Sequence, residues 1–183
     1  NLEEVNALSR QLNDYFPNDV LPIDPWLGFE ILDKIFKPLN DIDNQKAMIT
    51  HLVSSNGDIN VKLIAIIKAL ELGHYGLTKT LINDYVAHSR MRIESKLALF
   101  FEIVNNIGYH SSIDPLIEDI LNNNDIDQLS VNEKYSIFGV LYQIGHTQGA
   151  IKIGKSLLIK HYENDLQDVN TQKYVSDILL EVM

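Results

Sequence analysis

Apolar residues along this chain recur at intervals of three and four, the spacing that gathers them on one face of an α-helix, and no stretch alternates as a half-buried strand must. Leu2, Val5, Leu8 and Leu12 predict a helix over Leu2–Tyr15. Phe16–Trp26 then holds Pro17, Pro22 and Pro25, which a helix interior does not tolerate, so a rigid extended connector is expected. Asp24-Pro25 reads as an N-cap followed by proline in the first turn. The helix it opens carries Phe29, Leu32, Ile35 and Phe36 on one face and stops near Pro38. A further helix over Asp43–Ser54 ends in Ser-Ser-Asn-Gly, where Gly57 can supply a left-handed cap.

From Asn60 onward the predicted helices pair: Asn60–Leu72 with Leu77–Ala87, Arg92–Ile107 with Ile113–Asn122, and Asn132–Ile144 with Ala150–Tyr162. Ser130-Val-Asn-Glu133 is a capping box opening the fifth of these. A last helix runs through Tyr174, Ile178 and Leu179. The expected fold is all-α, an α-solenoid of antiparallel helical hairpins with about ten helices. Residues 1–58 would supply N-terminal helices and a Pro-rich connector packed on the repeats, 59–163 three hairpin repeats, and 164–183 a capping helix.

Three phrases support a repeat: LGHYGL around Gly73, IGYHSSI around Gly108 and IGHTQGA around Gly145, the glycines standing 35 and 37 residues apart. The positions one, four and eight before glycine are Leu72, Ala69 and Ala65, then Ile107, Val104 and Phe100, then Ile144, Leu141 and Ile137. These share one face of each first helix. Five after glycine come Thr78, Ile113 and Ala150, where the second helix must approach the first, and nine after it Ile82, Ile117 and Gly154. No equivalent copy is evident in the N-terminal third.

On these residues the segment of about 60–162 resembles a degenerate tetratricopeptide repeat, whose helix–turn–helix unit has about 34 residues. That family places a glycine in the turn and a small residue five positions later. Gly145 with Ala150 fits the pattern, Gly73 with Thr78 fits loosely, and Gly108 with Ile113 fits only at the glycine. Seven before glycine the family prefers a small residue, whereas Ile66, Phe101 and Phe138 stand here.

Composition narrows the chemistry. The net charge of −10 disfavours direct contact with a phosphate backbone, so no nucleic-acid partner is expected. The absence of cysteine removes disulfides, thiolate zinc sites and a cysteine nucleophile, and a cytoplasmic setting is the plainer expectation. Apolar runs such as Leu63–Leu70 and Leu97–Phe101 are too short to span a bilayer, so no membrane insertion is expected. The chain begins Asn-Leu-Glu-Glu rather than with Met, which suggests an excised domain or a processed product.

The histidines beside the three glycines invite a metal reading. Equivalent turns of stacked hairpins lie about 10 Å or more apart, too far for His74, His110 and His146 to share one zinc. Their expected role is that of polar, partly exposed turn residues capping helix ends. His51, His88 and His161 have no HExxH context. There is no GxSxG elbow and no phosphate loop, and the Asn123–Asp127 stretch lacks the calcium-loop glycine and glutamate, with Gln128 and Lys134 in their places. The expectation is a non-enzyme with no metal and no cofactor.

By resemblance to tetratricopeptide arrays, the first helix of each pair would line a concave peptide groove. The residues so placed are Asn60 and Glu71 beside the apolar Leu63, Ile67 and Leu70; then Ser95, Glu102, Asn105 and Asn106; then Asn132, Tyr135, Tyr142 and Gln143. Asn offers both donor and acceptor to an extended backbone, and Tyr a rigid face with a polar tip. The set has no Lys or Arg, so a basic or neutral ligand suits it. The style is similar to the sensor domains of Gram-positive peptide-pheromone regulators, although no helix-turn-helix DNA reader precedes it. The expected function is non-catalytic binding of a peptide or protein segment. The rival readings are an accessory helical domain of a larger enzyme, such as a transferase, and an obligate assembly module that forms a homodimer.

Overall fold

The computed structural model describes residues 24–55, 57–88, 92–122, 126–127, 129–164 and 169–182, so the predicted Leu2–Tyr15 helix and nearly all of the proline connector lie outside it. Every regular element among the described residues is helical. They are α1 (Pro25–Ile31), which runs into a π-helical turn Leu32–Phe36, α2 (Ile42–Ser55), α3 (Ile59–Glu71), α4 (Tyr75–His88), α5 (Ile93–Asn106), a 3-10 turn Ser111–Ile113 leading into α6 (Asp114–Asn122), α7 (Val131–Gln143), α8 (Thr147–Asn164) and α9 (Val169–Val182). Among the described residues no helix is long and apolar enough to cross a membrane. The chain divides into two compact units, Asn1–Ala87 and His88–Met183.

The helices start where capping chemistry starts them. Asp24 accepts hydrogen bonds from the Trp26 and Leu27 amides at 3.0 and 3.1 Å, with Pro25 in the first turn. Asp58 accepts from the Asn60 amide, and the Ser130–Glu133 capping box is closed in both directions. Pro38 cannot donate to a helical carbonyl, and the turn before it widens, with the Lys37 amide reaching Leu32 O at 2.9 Å.

The turns are the informative part. At Gly73 (φ +74°) the glycine amide bonds Leu70 O and the next amide, of His74, bonds Ala69 O. At Gly145 (φ +74°) the same two bonds run to Tyr142 O and Leu141 O. This paired closure needs a left-handed residue, the natural place for glycine. Gly108 (φ +102°) closes differently, with its amide on Ile103 O, and an extended His110 leads into the 3-10 turn. The predicted Ile113–Asn122 helix therefore begins with a tighter turn.

A further turn of this type exists at a position that the glycine pattern misses. Asn40 has φ +53°, its amide bonds Lys37 O, and the following Asp41 amide bonds Phe36 O. This is the Gly73 and Gly145 closure with asparagine in the left-handed position, which Asn tolerates better than most residues. Five and nine after it stand Gln45 and Ile49, 3% and 0% exposed, matching Thr78, Ile113 and Ala150 and then Ile82, Ile117 and Gly154, all buried. Four and eight before it stand Phe36 and Leu32, also core. The N-terminal third, where no equivalent copy was evident from the sequence, thus holds a turn with the same closure between the π-helical end of α1 and α2.

A second shared feature is a cross-brace. Lys62 Nζ meets Asp84 Oδ2 at 3.1 Å between α3 and α4, Lys96 Nζ meets Asp119 Oδ2 at 2.6 Å between α5 and α6, and Lys134 Nζ meets Ser156 Oγ at 3.1 Å between α7 and α8. Each acceptor stands eleven residues after its turn glycine. Lys96 and Lys134 are almost wholly buried, so each ammonium depends on such partners, and Lys134 also reaches the Asp127 carbonyl at 3.5 Å and its carboxylate at 3.8 Å.

In the first unit Phe29, Leu32 and Phe36 pack with Met48, Ile49 and Leu52 of α2 and with Val61, Ala65 and Ala69 of α3, while Leu77 and Leu81 of α4 lie against them. Burying such side chains is worth about 1.5–3 kcal/mol each. In the second unit α5, α6 and α7 share one apolar seam lined by Phe100, Ile117, Ile120, Leu121, Ile137 and Leu141. Gly154 on α8 lets Phe138 and Leu179 close in, since a Cβ there would lie 3.0–3.2 Å from their side chains.

Candidate functional site

The ten residues expected to line a groove divide between the two units. Asn60 and Glu71 are exposed on α3. On α5, Glu102, Asn105 and Asn106 stand on the outer side and Ser95 is half-buried; on α7, Asn132, Tyr142 and Gln143 stand on the outer side and Tyr135 is half-buried. Leu70, which the resemblance placed in the groove, is instead core at 4% exposure. Its position follows from the apolar stripe of α3, where Val61, Ala65, Ile66 and Ala69 are buried with it.

The structure thus brings α5 and α7 together in one unit, both anchored on the Phe100–Leu141 seam. Each turns its buried residues inward, Leu97, Phe100 and Ile103 on α5 and Ile137, Phe138 and Leu141 on α7, and leaves the amide-rich positions toward solvent. Asn106 Nδ2 donates to Glu102 Oε1 at 2.7 Å, which leaves Asn106 Oδ1 as an acceptor. Tyr142 is 36% exposed. None of these eight positions carries a cation.

The turn histidines separate into two behaviours. His110 Nδ1 accepts from the Ser112 amide at 3.0 Å and His146 Nδ1 accepts from the Gly149 amide at 3.2 Å, so both cap the element that follows. Asp41 does the same after Asn40, accepting from the Asn44 amide at 3.3 Å. His74 departs from the expected partly exposed turn residue: it is 7% exposed, and its Nε2 lies 2.8 Å from Gln45 Oε1. Gln45 Nε2 is already donating to Phe36 O at 2.9 Å, so Gln45 Oε1 is the acceptor and the imidazole proton sits on Nε2. Nδ1 is left with its lone pair and carries no hydrogen bond among the described residues. Burial, and next the Lys46 ammonium, hold the His74 pKa below its ordinary value of 6.5.

Beside this histidine the first unit has a cleft of about 420 Å³, lined by Asn40, Ile42, Gln45 and Lys46 on one side and by Leu72–Leu77 on the other. It lies between two successive turns of the same type. Among the described residues Lys46 is its one cationic side chain, and its wall contains no carboxylate although the chain has 25 acidic residues against 15 Lys and Arg. Sequence reasoning did not find this site. The signal was the 33-residue step back from Gly73 to Asn40, which puts Gln45 five after the turn, facing the next histidine. Among the described residues no group of three His, Cys, Asp or Glu side chains could hold a metal ion.

Comparison of the chain with protein-family models, curated proteins and solved structures gives no match.

Proposed function

We propose that this chain is a non-catalytic, tetratricopeptide-like helical-repeat module of the cytoplasm that holds an extended peptide or protein segment against the polar faces of α5 and α7. The observation that carries the reading is the solvent-facing set Asn105, Asn106, Asn132, Tyr142 and Gln143 on two helices of one unit, backed by a shared apolar seam. Amide side chains satisfy the alternating donors and acceptors of an extended backbone without selecting its sequence, and the tyrosines add rigid contact area. Glu102 and the absence of cations among these positions favour a ligand with basic or neutral side chains.

The test is titration of the protein with a panel of short peptides of differing charge. The double variant Asn105→Ala/Asn106→Ala should lose about tenfold in affinity for whichever peptides bind, the effect of removing one to two useful hydrogen bonds. Undiminished binding by that variant contradicts the assignment.

A further inference from the structure

We propose that the cleft between the Asn40 and Gly73 turns is a binding site for a small organic acid that carries a hydrogen-bond donor on the atom beside its carboxylate-bearing carbon, such as an N-acyl amino acid with a short apolar side chain. The site stands in the first unit and is independent of the peptide face on α5 and α7. Three features define the ligand. Lys46 is the only cation among the described residues of the wall, and the lining itself carries no carboxylate, so an anion in the cleft has one cation to pair with. His74 has its Nε2 proton directed to Gln45, which leaves Nδ1 as an acceptor available to a donor on a ligand. Ile42, Leu72, Tyr75 and Leu77 supply the apolar part of the lining, with Ile42 and Tyr75 46% and 45% exposed.

An N-acyl amino acid meets all three: the carboxylate to Lys46, the N–H to His74 Nδ1, and the side chain against the apolar wall. The volume favours a small molecule, standing at the lower end of the range of about 300–1,000 Å³ for ligand pockets. The Gln45 and His74 part of the lining is preorganised, because Gln45 links His74 to the Phe36 carbonyl and both residues are more than nine-tenths buried.

The experiment is nitrogen-15 NMR of the histidine rings during titration with N-acetylleucine, N-acetylleucinamide, 4-methylpentanoate and a hexapeptide ending in leucine. N-acetylleucine should shift the His74 Nδ1 resonance with saturation below about 10 mM, while His110 and His146 remain unmoved. The amide, lacking the carboxylate, and the simple acid, lacking the N–H, should each bind at least about tenfold more weakly. Lys46→Met, an exposed position that leaves the core intact, should weaken N-acetylleucine by a similar factor. Saturation by the hexapeptide with none by N-acetylleucine overturns the small-molecule assignment in favour of a chain terminus. Equal response to acid and amide, no His74 shift with any probe, or an unchanged Lys46→Met affinity overturns the site.

Discussion

The left-handed residues at the hairpin turns are where single atoms decide most. Gly73 and Gly145 share φ +74°, and a Cβ added at either would meet nothing within 4 Å, so the cost of a side chain there is conformational and not steric crowding. Gly73→Ala and Gly145→Ala should each lower stability by about 1–2 kcal/mol in urea unfolding. Asn40→Gly should be neutral or stabilising, because asparagine already occupies that region at some cost. A loss on Asn40→Gly as large as that on Gly73→Ala would mean the turns are not equivalent. His74 makes a separate claim. Its folded pKa lies below the ordinary 6.5, so the unfolded chain binds the proton more readily. Stability should therefore rise with pH from below the folded value up to about 6.5 and then level off, and His74→Gln should flatten that part of the profile. Tyr109 donates to Asp114 Oδ1 at 2.8 Å, and burial followed by that bond pushes its pKa up to about 12. Ultraviolet titration should find this phenol still neutral when ordinary tyrosines have ionised near pH 10.

At the scale of elements, the lysine cross-braces tie the two helices of a hairpin across their open ends. Lys96 has a side-chain exposure of 6%, so Asp119→Ala strands a buried ammonium and should cost about 3 kcal/mol. The double variant Lys96→Met/Asp119→Leu removes both charges and should cost within about 1 kcal/mol of nothing, whereas either single change leaves a buried charge behind. If chemical denaturation gives the two variants equal losses, the brace is not a buried ion pair in function. These braces were hard to read from the sequence because Lys96 is displaced by one position relative to Lys62 and Lys134, and because Ser156 replaces an aspartate. The helices themselves were legible, since periodicity and capping chemistry agreed: Asp24-Pro25 and the Ser130–Glu133 box start helices where they were expected to. The Asn40 turn was not, because a search keyed on glycine passes over asparagine in the same backbone state. The buried His74–Gln45 pair was invisible for the same reason, as its two halves belong to successive turns whose equivalence depends on Asn40.

At the scale of the molecule, the chain combines a net charge of −10 with a cleft in the first unit whose lining has no carboxylate, which departs from that average, and a cation-free polar face in the second, which keeps to it. Both place hydrogen-bonding groups on packed helices, which the binding roles proposed above require. The polar helix pair carries the main functional claim, and its own side chains can report on it. The decisive measurement is the side-chain amide region of a proton–nitrogen-15 spectrum, followed while a binding peptide from the panel is added. The resonances of Asn105, Asn106, Asn132 and Gln143 should move together and saturate with one dissociation constant, while the buried Gln45 amide stays in place. A peptide that binds while those four amides remain unmoved would contradict the account.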